Sequence, residues 1–264
     1  EEEAAAHVED CHTKVLMCKE TEGKAYEFSI ATTVHDAGGS APLVMTPATA
    51  YATYEHTIAM AGGEMARVET DEDAGFALHV SDLTAGLDAA RAAGRSVAAV
   101  LLTNPHNPTG NVLSREELLA VGALCEAAGA MLIVDEVYAP LVFGASGRDG
   151  GGFAPVASVP ELARHAFAVG SLSKAGLRPG WRVGWLAAPV GAEAEVEALS
   201  KAVLFGTSPA AQAAALTAMP LVAPGNAEAR RYAARARALA EALAGAEAAY
   251  DLGEGSDNVG LVHL

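Results

Sequence analysis

Two short, continuously apolar runs, "SVAAVLLT" (96–103) and "AMLIVDE" (130–136), flank one helical pattern, "LSREELLAVGALCEAAG" (113–129). Runs of this length without polar alternation are strands buried on both faces, and strands separated by helices are the pattern of a parallel sheet covered on both faces. The start and stop of that helix are written in the chain. Ser114 stands as N-cap with Glu117 three residues on as its capping-box partner, and Gly129 falls where a helix ends. "APLVM" (41–45), a helical stretch from 54 to 61 and "AFAVGS" (166–171) continue the alternation. The expected fold class is α/β, a mostly parallel sheet with helices on both faces. After the strand-like "WRVGWLAAP" (181–189) the chain turns to Ala-rich helices over 192–203, 209–219 and about 226–249. "GASGRDGGG" (144–152) reads as a flexible loop.

Composition narrows the function classes. With 264 residues, 51% hydrophobic residues and a mean hydropathy of +0.22, the chain has material for a large core. Seventeen Lys and Arg face 33 Asp and Glu, a net charge of -16, which argues against phosphate contacts along a nucleic acid. Three cysteines without CxxC or Cys/His spacing argue against a disulfide framework and a structural metal, so no metal is expected and a reducing, cytoplasmic setting is. No apolar run approaches the roughly 18 to 20 residues of a membrane span. The acidic start "EEEAAAHVED" is unlike a signal peptide, and the missing Met is expected to mean that the chain begins inside a longer one.

Chemistry-bearing residues collect where the apolar runs end. "AAVLLT" leads into "NPHNPTG" (104–110), a turn fixed by two prolines and a glycine at the carboxyl end of a buried strand, the edge where open α/β sheets bind ligands. Such a turn alone needs no function. The next run ends in "DEVY", placing Asp135 and Tyr138 at the same edge, where a helix cap and a core aromatic are the plain alternatives. The third ends at Ser171, with Ser173 and Lys174 following and Arg182 eight residues further on. Each is ordinary singly. If the strands are neighbours, all of them converge.

"NPHNPTG", "DEVY" and "SLSKAGLRPGWRVGW" resemble the class I and II aminotransferases of the fold-type I pyridoxal-phosphate (PLP) superfamily. The stretch 76–119 is most similar to the branch of the 1-aminocyclopropane-1-carboxylate (ACC) synthases. The resemblance implies PLP as cofactor and amino acid and 2-oxo acid substrates. Lys174 matches the lysine of the cofactor Schiff base, and Asp135 the carboxylate on the ring nitrogen. Asn107 and Tyr138 match the donors to the phenolic oxygen, and Arg182, Ser171 and Ser173 the groups around the phosphate. Within "TPATAYATYE" (46–55) Tyr51 is the expected ring stacked on the cofactor, with Tyr54 as rival, and Gly23 matches a phosphate-binding glycine.

The resemblance also implies a homodimer. It divides the chain into a PLP-binding large domain over 1–225, without the family's N-terminal arm, and a connecting helix with the start of a truncated small domain over 226–264. The arginine that grips the substrate carboxylate has no counterpart before Leu264. An aminotransferase is the leading expectation. A lyase of the ACC synthase type acting on S-adenosylmethionine shares the same cofactor residues. A silent fragment serving as an interaction module is the reading from another class. A PLP-binding transcription regulator lacks a visible helix-turn-helix or basic patch.

Overall fold

The computed structural model describes residues 15–20, 26–31, 40–142, 153–174, 176–189, 191–219 and 226–250. Six strands form one sheet: β3 (Leu43–Pro47), β4 (Glu64–Val68), β5 (Val97–Thr103), β6 (Met131–Asp135), β7 (Ala166–Ser171) and β8 (Gly184–Ala187), β1 and β2 being the separate antiparallel pair Val15–Glu20 and Tyr26–Ala31. Their order across the sheet is β4-β3-β5-β6-β7-β8, parallel except for the antiparallel edge strand β8. The three runs that end in "NPHNPTG", "DEVY" and "SLSK" are therefore adjacent, β5 beside β6 beside β7. The α/β fold class holds, with β8 making the sheet mixed.

Strand periodicity sorts the side chains into two layers. On one face Val100, Leu102, Leu132, Val134, Ala166 and Ala168 meet α2 (Val80–Ala92) and α3 (Arg115–Ala128) through Leu83, Leu87, Leu118, Val121 and Cys125. Burial pushes the Cys125 thiol up to about 12, so it packs as a small apolar group. On the other face Ala99, Met131, Ile133 and Phe167 meet Ala192 and Val196, at the start of α4 (Glu193–Val203). A helix thus covers each face. Above the sheet edge α5 (Pro209–Ala218) lays Ala215 and Ala218 on the fully buried Leu172. The long helix α6 spans Ala227–Tyr250, as its charged, glycine-poor sequence predicts. No helix among the described residues is long and apolar enough to cross a membrane.

Two glycines fit β8 against β7. The Trp185 ring lies over Gly170, where an added Cβ would sit 2.1 Å from it, and a Cβ on Gly184 would approach the Gly170 carbonyl to 2.8 Å. The β1–β2 pair, strand β4 and helix α2 are elements that the motif reading leaves unassigned. Gly23 lies outside the described residues.

Helix α3 is capped as its sequence dictates. The Ser114 hydroxyl accepts from the Glu117 amide at 3.2 Å, the Glu117 carboxylate accepts from the Ser114 amide at 2.8 Å, and Gly129 closes the helix at φ +67°. Ser114 is buried, and its loss leaves the Glu117 amide without the hydroxyl that caps it. Ser114→Ala is expected to cost about 1 to 2 kcal/mol, read as a lower urea midpoint with an unchanged slope.

Candidate active site

The site grows from the carboxyl ends of β5, β6 and β7. Pairing sets Thr103 opposite Asp135 and Asp135 opposite Val169, so the residues that end the strands are level. Odd-numbered positions place Thr103, Asp135 and Ser171 on the face whose lower half α4 covers.

The turn after β5 is a closed frame. Asn104 is fully buried; its backbone amide donates to the Asp135 carbonyl at 2.9 Å, and its side-chain oxygen accepts from the Leu113 amide at 2.9 Å. The His106 amide donates to the Asn111 carbonyl at 2.7 Å and the Gly110 amide to the His106 carbonyl at 2.8 Å. Both Asn–Pro peptides, 104–105 and 107–108, are cis. Asn107 stands at the tip, its side-chain nitrogen donating to the Tyr138 hydroxyl at 3.5 Å.

Tyr138 is buried, and Lys174 places its Nζ 5.4 Å from the centre of the Tyr138 ring, within cation–π range. Three sequence-expected residues from three strand ends, Asn107, Tyr138 and Lys174, thus form one chain of contacts. Asp135 sits beside them. One carboxylate oxygen accepts from the Val137 amide at 3.1 Å and the other from the Tyr54 hydroxyl at 2.8 Å. Tyr54 opens α1 (Tyr54–Met60) and also meets the Thr103 hydroxyl at 2.8 Å. Burial first, and the Asp135 charge second, push the Tyr54 phenol well above its ordinary range, so it stays protonated.

Tyr51, the expected stacking ring, is 44% exposed and meets Tyr54 edge-on with ring centres 5.5 Å apart. Its rival Tyr54 is committed to Asp135. Neither Tyr54's hydrogen bond nor Thr103 is foreseen from the sequence. The signal available was a Thr closing an apolar strand and a Tyr three residues after Tyr51.

The residues expected around a phosphate lie on the excursion between β7 and β8. Ser171 Oγ accepts from the Ser173 amide at 2.9 Å and donates to the Val183 carbonyl at 3.4 Å. Arg182 is exposed, takes a left-handed backbone at φ +54°, and donates from Nη1 to the Pro179 carbonyl at 3.1 Å. Arg178, which the motif reading passes over, lies 5.3 Å from the Trp181 ring centre and donates to the carbonyls of Gly176 and Leu177.

An open sheet of this order, with a lysine, an aspartate and an Asn–Tyr pair at the carboxyl ends of its central strands, has the large-domain fold of the fold-type I PLP enzymes. The model of the family "Aminotransferase class I and II" matches residues 29–263, and the chain belongs to that PLP-dependent family. Aspartate aminotransferase of Streptomyces avermitilis is 33% identical over 138 residues, covering 52% of this chain and 31% of that protein. Alanine aminotransferase 2, mitochondrial, of Arabidopsis thaliana is 38% identical over 100 residues, covering 38% and 18%. The solved N-succinyldiaminopimelate aminotransferase of Mycobacterium tuberculosis superposes with a TM-score of 0.65 at 27% identity, covering 84% of this chain and 54% of that one. The chain matches a fifth to a third of these curated relatives and about half of the solved one.

Glu136, next to the site, gives a pH signature. It accepts from the Val156 amide at 2.7 Å, yet burial, with Asp135 adding a smaller push, raises its carboxyl to about 7. Between its ordinary value of 4.5 and about 7 the folded protein holds a proton that the unfolded chain has released, so this group lowers stability as pH rises through that window. Glu136→Gln keeps an acceptor for Val156. It is expected to match the parent below pH about 4.5 and to exceed it by about 1 to 3 kcal/mol above pH about 7, measured as thermal midpoints across that range.

Proposed function

We propose that the chain carries the cofactor site of a PLP-dependent aminotransferase that moves an amino group between an α-amino acid and a 2-oxo acid. The observation that carries this reading is the Asn107–Tyr138–Lys174 contact chain standing beside an Asp135 held by two donors.

The donor set fits pyridoxal phosphate. Each Asp135 oxygen accepts one hydrogen bond and keeps lone-pair capacity for a protonated pyridine nitrogen. Asn107 and Tyr138 converge as the two groups suited to one phenolic oxygen, and the Lys174 amine is near enough to reach a carbonyl carbon beside it. Arg182 has spent one donor of five on Pro179 and can turn the rest to a phosphate. Ser171 and Ser173 share its loop. The exposed Tyr51 ring is free to cover the cofactor's face.

When bound, the cofactor supplies an electron sink for the carbanion at the substrate's α-carbon. Asp135 holds the proton on the ring nitrogen, and a carboxylate set in place beforehand stabilises that charge without reorganising. Tyr138 and Asn107 hold the phenolic oxygen. Lys174 would hold the cofactor's carbonyl carbon through Nζ, and the same amine is the base that would move a proton at the substrate's α-carbon.

The ACC synthase-type lyase uses the same residues, and no distance or relative described above favours it. The proposal extends to a homodimer: Val203, Leu204 and the 94% exposed Phe205 give the α4–α5 turn an apolar surface suited to a second copy. Cytoplasmic residence rests on cysteine usage alone.

Borohydride reduction of the PLP-loaded protein followed by peptide mapping is expected to place the pyridoxyl group on Lys174; a label on Lys201 instead would overturn the assignment. Asp135→Ala is expected to retain the label while turnover falls by roughly 10² to 10³. Normal turnover in that variant would remove Asp135 from the proposed chemistry.

A further inference from the structure

We propose that Tyr54 is the positioning residue of Asp135: its hydroxyl, pinned by Thr103, fixes the plane of the carboxylate and so decides which lone pair meets the cofactor's ring nitrogen. The inference rests on the reading of Asp135 as the ring-nitrogen partner.

Proton counting sets the direction of the network. Tyr54 has a single hydroxyl proton, and it goes to Asp135 Oδ2 at 2.8 Å. The Thr103 hydroxyl, also 2.8 Å from the phenolic oxygen, is therefore the donor in that contact. The chain runs from Thr103 through Tyr54 to Asp135, every link in one sense. Thr103 is 6% exposed, and its strand partner across the ladder is Asp135 itself, so the anchor and the carboxylate are fixed by the same pair of strands.

The phenol cannot follow the carboxylate if the carboxylate turns. Thr103 holds its oxygen, and the Tyr54 backbone opens helix α1. Among the described residues, Asp135 Oδ1 is held only by the Val137 amide, two residues along the same turn. The terminal torsion of an aspartate is broad, and one local contact leaves it free to rock. A second contact from another element, at the other oxygen, removes that freedom. Tyr54 therefore fixes the orientation of the carboxylate before the ring nitrogen arrives, and a group already aligned loses less on binding.

The test compares PLP with the analogue in which a C–H replaces the ring nitrogen, titrated into the protein, into Tyr54→Phe and into Thr103→Val. Phe keeps the ring and its contact with Tyr51, and Val keeps the strand. The unmodified protein is expected to bind PLP more tightly than the analogue. Tyr54→Phe is expected to weaken PLP binding about threefold to tenfold, the latter being about 1.4 kcal/mol, while its affinity for the analogue stays within about twofold of the parent. Thr103→Val is expected to move in the same direction by less. Equal losses for both compounds would make Tyr54 a packing residue, and no loss for either would make its bond idle; either result overturns the proposal. Equal affinities of the unmodified protein for the two compounds would instead strike at the placement of Asp135 on the ring nitrogen, and the role of Tyr54 would fall with it.

Discussion

The register of three parallel strands is the constraint on which the site depends. Thr103 faces Asp135 across the β5–β6 ladder, and Asp135 faces Val169 across β6–β7. A slip of one residue in β6 would carry Asp135 to the other face of the sheet and bring Val134 out of the core in its place. Burial forbids it: Leu132 and Val134 are fully buried among α2, α3 and the neighbouring strands, and transferring them to the site face would forfeit about 1.5 to 3 kcal/mol for each. The hydrophobic pattern of the first face thus aims the polar groups of the second. No residue of the site has to specify its own height above the sheet.

The same ladder ends in two consecutive acids with different fates. Asp135 lies on the site face, where the Val137 amide and the Tyr54 hydroxyl meet its two oxygens. Glu136 points the other way and finds one backbone amide, too little to offset its burial, so its carboxyl rises to about 7. Alternation along a strand separates them. Two carboxylates in different surroundings need only be neighbours in sequence, because each takes its environment from its own face.

How much of this was legible follows from the range of each interaction. The buried strands, the caps of α3 and the placing of Asn107, Asp135, Tyr138 and Lys174 at strand ends follow from local patterns, since each residue ends or follows an apolar run that packing must bury. That β5, β6 and β7 are neighbours, which brings the four together, does not. The Thr103–Tyr54–Asp135 chain was not legible. Its members are 49 and 81 positions apart, and Thr103 reads as the last letter of a hydrophobic strand. The choice of Tyr51 over Tyr54 as the ring over the cofactor rests on the family resemblance alone. Helix α1 begins at Tyr54, whose hydroxyl reaches Asp135, and leaves Tyr51 the exposed one.

The spacing between Lys174 and Arg182 has its own physical account. Ser171 pairs with Gly184 across β7 and β8, so the chain leaves the sheet edge after Ser171 and rejoins it at Gly184 on one level. Leu172 nails the outgoing arm under α5, while the antiparallel β8 fixes the returning arm, its Trp185 lying over the bare Cα of Gly170. Lys174 and Arg182 stand on opposite arms of this loop, close to the same pair of strand ends although eight residues separate them. The left-handed backbone of Arg182, an arrangement that costs a non-glycine residue about 1 to 2 kcal/mol, is where the returning arm turns into β8. A glycine there would relieve the strain and lose the guanidinium, together with its hydrogen bond to the Pro179 carbonyl.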